Sequence, residues 1–193
     1  MHFDTTVFLF LYGLSHHAAV ADALGVFFAE YSAYVVAAVL GIAVLWQSEH
    51  RARVRVAVIV AAAAALIARL LVKTAIVFAY PRPRPFLVLP DIRPLIATAP
   101  WESLQSFPSG HAIFFFALAA ALFCFNRKIG LWAFVAAAAI SVARVYAGVH
   151  WPSDILGGAA LGAFVGWLTY RFYRSHEAYI DEKVTQGFKM FRP

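Results

Sequence analysis

Five apolar stretches of near-bilayer length restrict most strongly how this 193-residue chain can fold. A helix needs about 20 apolar residues to cross the hydrocarbon layer, and within lipid the backbone must satisfy its own hydrogen bonds. The stretches are 31–47, 54–80, 110–125, 129–148 and 153–173. We therefore expect residues 1–193 to form one integral membrane domain, an all-α polytopic transmembrane helix bundle.

Three further segments define the limits of the bundle. Residues 5–29 are apolar but interrupted at Ser15-His16-His17, so they form either one broken crossing or two short interfacial helices, and the bundle has five or six spans. Residues 81–109 are rich in proline and too irregular to cross lipid, which predicts a surface loop with a short helix. The polar tail, 175–193, can extend the last helix into water.

The basic residues predict the orientation. The chain is 63% hydrophobic and carries a net charge of +6, and no basic-aromatic stripe points to nucleic acid. Alternating the five stretches places ten Lys and Arg on one side and three on the other, and positive residues favour the cytoplasm. We expect loop 81–109 and the turn 148–153 to face outward. The ten are Arg51, Arg53, Arg55, Arg127, Lys128, Arg171, Arg174, Lys183, Lys189 and Arg192, and the three are Arg82, Arg84 and Arg93.

Polar residues gather near this outward face in three segments, "PRPRPF", "FPSGH" and "ARVYAGVHWPSD". Each has an ordinary explanation by itself: Arg144 can snorkel to headgroups, Asp154 can cap a helix, and a lone histidine is usually structural. Ionisable groups at membrane depth are costly, however, and usually mark a site or an internal pair. Their convergence on one face favours a functional site.

Phosphate is the chemistry that this set suits. Arg82, Arg84 and Arg144 offer forked donors that match phosphate oxygens in pairs. Ser109 is a plausible N-cap of the next helix, whose free amides form an anion seat, and Gly110 leaves room for an oxyanion.

Two histidines complete the prediction. His150 and Asp154 are four residues apart, and a carboxylate beside one ring nitrogen orients the imidazole and leaves the other nitrogen free to attack phosphorus. His111 is then available to protonate the leaving oxygen.

Together these segments resemble the three signature motifs of the type 2 phosphatidic acid phosphatase (PAP2) superfamily. The run "YPRPRPF…FPSGHAIFFFALA…ARVYAGVHWPSDILGG" is most similar to the undecaprenyl-diphosphatase, bacitracin-resistance branch. The resemblance covers roughly residues 69–170, and a PSGH followed by R-x5-H-x3-D is a specific combination. It implies a fold of the PAP2/haloperoxidase type.

The resemblance also implies roles for the residues. His150 becomes a phosphohistidine, Asp154 supports it, and His111 is the acid, with no metal and no cofactor. The implied phosphate ligands are Arg84, Arg144, Ser109 and Gly110.

The sequence departs from the family pattern at two places. Ala143 stands where the superfamily usually has serine. The first motif places a lysine seven residues before its Arg-Pro, but that position holds Val77 counted from Arg84, and the nearest lysine, Lys73, lies one helical turn deeper. Lys73 and Arg82 are the two further substrate-binding candidates.

The resemblance narrows the substrate to a polyprenyl diphosphate, undecaprenyl diphosphate, hydrolysed to the monophosphate at the outer face of a bacterial inner membrane. That reaction serves peptidoglycan synthesis and bacitracin resistance. Phosphatidate or phosphatidylglycerophosphate hydrolysis, haloperoxidase chemistry, a small-molecule transporter and a lipid-binding subunit are the alternatives. The partners are lipids, and a homo-oligomer is compatible with the sequence.

Overall fold

The computed structural model describes residues 2–45 and 52–189, and every regular element in those residues is helical. Two π-helical turns, Phe27–Tyr31 and Ile67–Val72, join α2 to α3 and α4 to α5. The end of the predicted stretch 31–47, together with Arg51 and Arg192, lies outside the described residues. The α-helices are α1 (His2–Tyr12), α2 (Ala19–Val26), α3 (Ser32–Leu45), α4 (Ala52–Leu66), α5 (Lys73–Ala79), α6 (Pro85–Val88), α7 (Gly110–Phe125), α8 (Arg127–Tyr146), α9 (Pro152–Ser175) and α10 (Glu177–Lys189).

The predicted membrane helix bundle is confirmed, with five apolar helical segments in the described residues. Four continuous helical segments are long and apolar enough to cross a membrane, and α7 is a shorter apolar helix. Segment 5–29 is divided between two elements: α1 has 11 residues, too few to cross lipid, whereas α2 begins the first crossing. The four segments are Ala19–Ala43, Ala52–Ala79, Arg127–Tyr146 and Pro152–Ser175.

Helices α7 and α9 pack closely because α9 presents a stripe of small residues. Gly158, Gly162 and Gly166 recur every four residues, so they lie on one face of the helix. A methyl group at Gly158 would come within 2.9 Å of the Ala112 side chain, and methyl groups at the other two glycines would meet α7 backbone oxygens. This contact fixes the starts of α7 and α9 beside each other.

Alanines fill the space between α4 and α7. Ala61, Ala64, Ala65 and Ala68 are fully buried and form a cluster with apolar residues of α7 and α9. Small side chains allow close helix packing in lipid, where water contributes little to helix association.

Helix α1 covers the end of the bundle at which α9 begins. The buried Phe8 ring packs against Trp151, with 5.3 Å between the ring centroids. The Asp4 carboxylate accepts hydrogen bonds from the Ser153 amide at 2.8 Å and the Ser153 hydroxyl at 2.6 Å. The N-terminal helix therefore stabilises the first turn of α9.

Backbone hydrogen bonds close loop 81–109 upon itself. The Arg82 amide donates to Leu104 O at 2.9 Å, the Ser106 amide donates to Arg82 O at 3.0 Å, and the Arg84 amide donates to Ser103 O at 3.1 Å. The loop contains α6 and the 3-10 turn Pro100–Glu102, in agreement with the expected short helical element. Its closure brings the two arginines beside the start of α7.

Candidate active site

The three polar segments meet at one end of the bundle. Helix α8 ends at Tyr146, α9 begins at Pro152, and α7 begins at Gly110. The chain reverses between α8 and α9 through Gly148, whose φ of +79° is a conformation that glycine adopts without steric cost. His150 follows this turn and faces the starts of both helices.

His150 and Asp154 form a buried pair. His150 Nδ1 lies 3.4 Å from Asp154 Oδ2, and the two side chains are 2% and 0% exposed. Burial lowers the pKa of His150 to about 3, although its hydrogen bond with Asp154 acts in the opposite direction. The ring is therefore neutral near pH 7, and with Nδ1 turned to the carboxylate its Nε2 is left for a substrate.

Asp154 is held in place by further donors. Its Oδ2 accepts from the Trp151 amide at 2.8 Å and from the Ser106 hydroxyl at 2.5 Å. Its Oδ1 accepts from Arg82 Nη1 at 2.5 Å. Ser106, which directly precedes the segment "FPSGH", was not among the predicted site residues, although its place next to that segment is a usable signal.

Arg82 lies behind Asp154. Besides that carboxylate, its guanidinium donates to the Ser153 hydroxyl at 2.7 Å and to Asp4 Oδ2 at 2.7 Å. These three acceptors occupy both terminal nitrogens. The arrangement favours a positioning role for Arg82, through Asp154, over direct contact with phosphate.

Arg84 is 3% exposed and is bound on two sides. Its Nη1 donates to Val149 O at 3.0 Å, and its Nε donates to Glu102 O at 2.9 Å. The Glu102 carboxylate lies 3.4 Å from Nη2. Arg84 thus fixes the residue that precedes His150 and brings a positive charge to the pair.

Arg144 and Ser109 have buried polar atoms that the described residues do not satisfy. Arg144 is 6% exposed and donates through Nη1 to Ala29 O at 2.8 Å, but its Nε has no partner in residues 2–45 and 52–189. The Ser109 hydroxyl has none there either. Buried polar groups are normally hydrogen-bonded, so these two indicate a ligand.

The start of α7 supplies backbone donors. Ser109 occupies the N-cap position, but its side chain makes no capping hydrogen bond, and its amide donates to Asp154 O at 3.1 Å. The first-turn amides of Gly110 and His111 are the ones available to an anion. The amide of Ser109, one of the predicted phosphate ligands, is used within the protein, which leaves its hydroxyl for a ligand.

His111 faces a different space from His150. It is half-buried and lines a cavity of about 870 Å³, together with Arg144 and Gly110. Arg84 and Arg144 act electrostatically on both imidazoles, and His150 acts on His111. The structure thus brings the two predicted histidines together with Arg84 and Arg144, with His111 on the cavity side and His150 on the buried side.

Two further cations border Gly110. Lys73 Nζ lies 3.5 Å from Gln105 Oε1, at the edge of the site. The Arg69 guanidinium is so close to Gly110 that a methyl group there would collide with it. Arg69 was not predicted as a site residue; its position four residues before Lys73 in "LIARLLVK" is the available signal.

A family model described as the PAP2 superfamily matches residues 56–177. Undecaprenyl-diphosphatase BcrC of Bacillus subtilis is 32% identical over 178 residues, or 91% of this chain and 86% of that protein. Bacitracin transport permease protein BcrC of Bacillus licheniformis is 33% identical over 93% of this chain and 87% of that one. The crystal structure of Aquifex aeolicus LpxE shares the fold, with a TM-score of 0.69 at 24% identity over 88% of this chain and 95% of its own.

Proposed function

This chain belongs to the PAP2 superfamily, and on that premise we propose that it is a membrane phosphatase that hydrolyses undecaprenyl diphosphate to undecaprenyl phosphate and inorganic phosphate. The lining of the cavity supports this function. Its acidic and basic residues are His111, Arg144, Arg69, Glu30 and Glu102, and the rest of the lining is mostly apolar. A phosphorylated headgroup and a long hydrocarbon tail therefore fit one continuous space.

The apolar part of the cavity follows α3 from Ala33 to Leu45, about 18 Å at 1.5 Å per residue. Its opposite wall includes Val58 and Leu66 of the second crossing and Leu118 of α7. An apolar cavity of this length can hold a hydrocarbon tail that extends through the lipid layer, whereas a shallow surface site could not. This feature supports a lipid substrate.

In the first step, His150 Nε2 attacks the terminal phosphorus. The bond between that phosphorus and the bridging oxygen breaks, and its electron pair leaves with undecaprenyl phosphate. His111, protonated beside the bound polyanion, donates its proton to the departing oxygen. Arg144, Arg84, the Ser109 hydroxyl and the first α7 amides stabilise the oxygens of the transferring group.

In the second step, neutral His111 takes a proton from water as the water oxygen attacks the phosphohistidine. The bond between phosphorus and Nε2 breaks, inorganic phosphate leaves, and His150 is neutral again. The attacking water and the departing prenyl phosphate use the same side of the phosphorus, which is the side that faces the cavity. One histidine thus serves as acid and then as base.

The reaction is assigned to the outer face of a bacterial inner membrane. The basic residues lie mainly on the side opposite the site, and positive residues favour the cytoplasm. The product, undecaprenyl phosphate, would return to peptidoglycan synthesis. Removal of the diphosphate would also protect against bacitracin, and we expect both effects in cells.

The test is phosphate release from undecaprenyl diphosphate by the purified full chain, with His150→Ala and with a chelator present. We expect the wild type to release phosphate with and without chelator, and the variant to release none. Inhibition by chelator would contradict the metal-free mechanism. Faster hydrolysis of phosphatidate or phosphatidylglycerophosphate than of undecaprenyl diphosphate would contradict the proposed substrate. Bacitracin counterflow without phosphate release would show that the protein is a transporter and not a phosphatase.

A further inference from the structure

We propose that Arg69 determines specificity for diphosphates by binding the phosphoryl group that stays on the lipid. This inference rests on the proposed function and adds a residue to it. The terminal phosphoryl group occupies the site of His150, Arg144 and Ser109. The second phosphoryl group then lies toward the cavity, where Arg69 is placed.

The direction of the reaction places the second phosphoryl group on the cavity side. A leaving group departs opposite the nucleophile, and His150 lies at the closed side, 2% exposed, whereas His111 lines the cavity. The bridging oxygen must therefore face His111. The next atoms of a diphosphate ester extend from His111 into the cavity.

Arg69 lies between the reacting groups and the apolar wall. It lines the cavity beside Gly110, while Ala62 and Leu66, earlier in the same continuous helix, line the apolar part. A substrate that runs from His111 to these residues passes the guanidinium. The group of a prenyl diphosphate at that place is its second phosphoryl group.

A π-helical turn presents Arg69 to the site. Residues Ile67–Val72 form this turn within the second crossing, and it contains more residues than an α-helical turn. Such turns are rare and occur often at functional sites. It brings Arg69 against Gly110 while Lys73, after the turn, still reaches Gln105.

Arg69 also differs from the other arginines of the site in its bonding. Arg82, Arg84 and Arg144 each donate hydrogen bonds to protein atoms. Within residues 2–45 and 52–189, Arg69 makes no hydrogen bond and no ion pair. Its fork of donors is half-buried, adjacent to the site and open to a phosphate.

The experiment compares two substrates that differ by one phosphoryl group and share a tail, farnesyl diphosphate and farnesyl monophosphate. We expect Arg69→Gln to lower kcat/KM about 10- to 100-fold for the diphosphate, since a hydrogen-bonded charge is lost, and less than threefold for the monophosphate. Arg69→Lys should recover part of the loss. Arg93→Gln, an exposed arginine of loop 81–109, is the charge-matched control and should change neither.

Equal losses on both substrates, or no loss on the diphosphate, would overturn the role of Arg69 while the proposed function stands. A wild type that does not hydrolyse farnesyl or undecaprenyl diphosphate would overturn both. Inhibition by inorganic anions gives a second measurement that does not depend on turnover of the lipid diphosphate. Arg69→Gln should weaken inhibition by inorganic pyrophosphate and leave inhibition by orthophosphate unchanged, and an equal effect on the two ions would contradict the inference.

Discussion

The site has two sides that differ in whether the polar groups of the protein are hydrogen-bonded to one another. On the nucleophile side, Asp154, Arg82, Asp4 and Ser106 bond to one another or to the start of α9, and they hold His150. On the cavity side, atoms of Arg144 and Ser109 have no partner in the described residues, and His111 lines open space. The first side is organised before substrate arrives, and the second is completed by the substrate.

The largest effect should come from the nucleophile itself. His150→Ala removes the nitrogen that forms the covalent intermediate, so we expect kcat for undecaprenyl diphosphate to fall by more than about 10⁴-fold. His17→Ala, an exposed histidine of the turn after α1, should leave phosphate release unchanged. If His150→Ala kept one hundredth of the wild-type activity, His150 would not be the nucleophile, and the assignment of its side of the site as the nucleophile side would be wrong.

The next effect should come from the partner of the nucleophile. Asp154→Asn keeps the shape but loses the charge and the acceptor that orients the ring, so we expect kcat to fall about 10³- to 10⁴-fold. Asp91→Asn, in the exposed part of loop 81–109, is the matched control. Steady-state phosphate release measures both, and a loss below tenfold at Asp154 would mean that the nucleophile side does not need its carboxylate.

His111→Gln tests the cavity side by its dependence on the leaving group. Loss of the acid should lower the rate on undecaprenyl diphosphate about 10²- to 10³-fold. In the first turnover, release of nitrophenolate from p-nitrophenyl phosphate should slow much less, since nitrophenolate leaves without a proton, whereas the second step needs His111 with either substrate. Rapid-quench rates of the first turnover with the two substrates measure this ratio, and equal losses in that turnover would assign His111 to binding or structure.

The smallest of these effects should come from Arg82, which acts through Asp154. We expect Arg82→Gln to lower kcat about tenfold with KM unchanged, because Ser106 and the Trp151 amide still hold the carboxylate. Arg144→Gln, in contrast, should raise KM. A raised KM for Arg82→Gln would place its guanidinium on the phosphate, as the sequence analysis allowed.

The sequence predicted the parts of this arrangement whose spacing is local. Apolar length gave the helical bundle, and the four-residue interval between His150 and Asp154 predicted the pair, since Pro152 begins α9 between them. The four-residue glycine interval of α9 is also visible in the sequence, and it coincides with the face that packs against α7. Each of these inferences used residues that lie within one or two helical turns.

Features that depend on distant contacts or on irregular helix were not predictable in the same way. Asp4 meets Ser153 across 149 positions of sequence, and no pattern in the first helix announces that contact. The π-helical turn at Ile67–Val72 changes the helical register, so regular periodicity gave no role to Arg69. The number of crossings in segment 5–29 could not be predicted for a related reason. A second π-helical turn continues α2 into α3, so the first crossing runs past the end of this segment.

Identification of the phosphorylated residue decides whether His150 is the nucleophile. The full chain would be mixed with undecaprenyl diphosphate labelled in its terminal phosphoryl group, quenched in alkali within the first turnover, digested and sequenced by mass spectrometry. We expect label on the peptide that contains His150, in the wild type and, at a slower rate of appearance, in His111→Gln. Label on His111, or turnover with no labelled histidine at any time in the reaction, would contradict it.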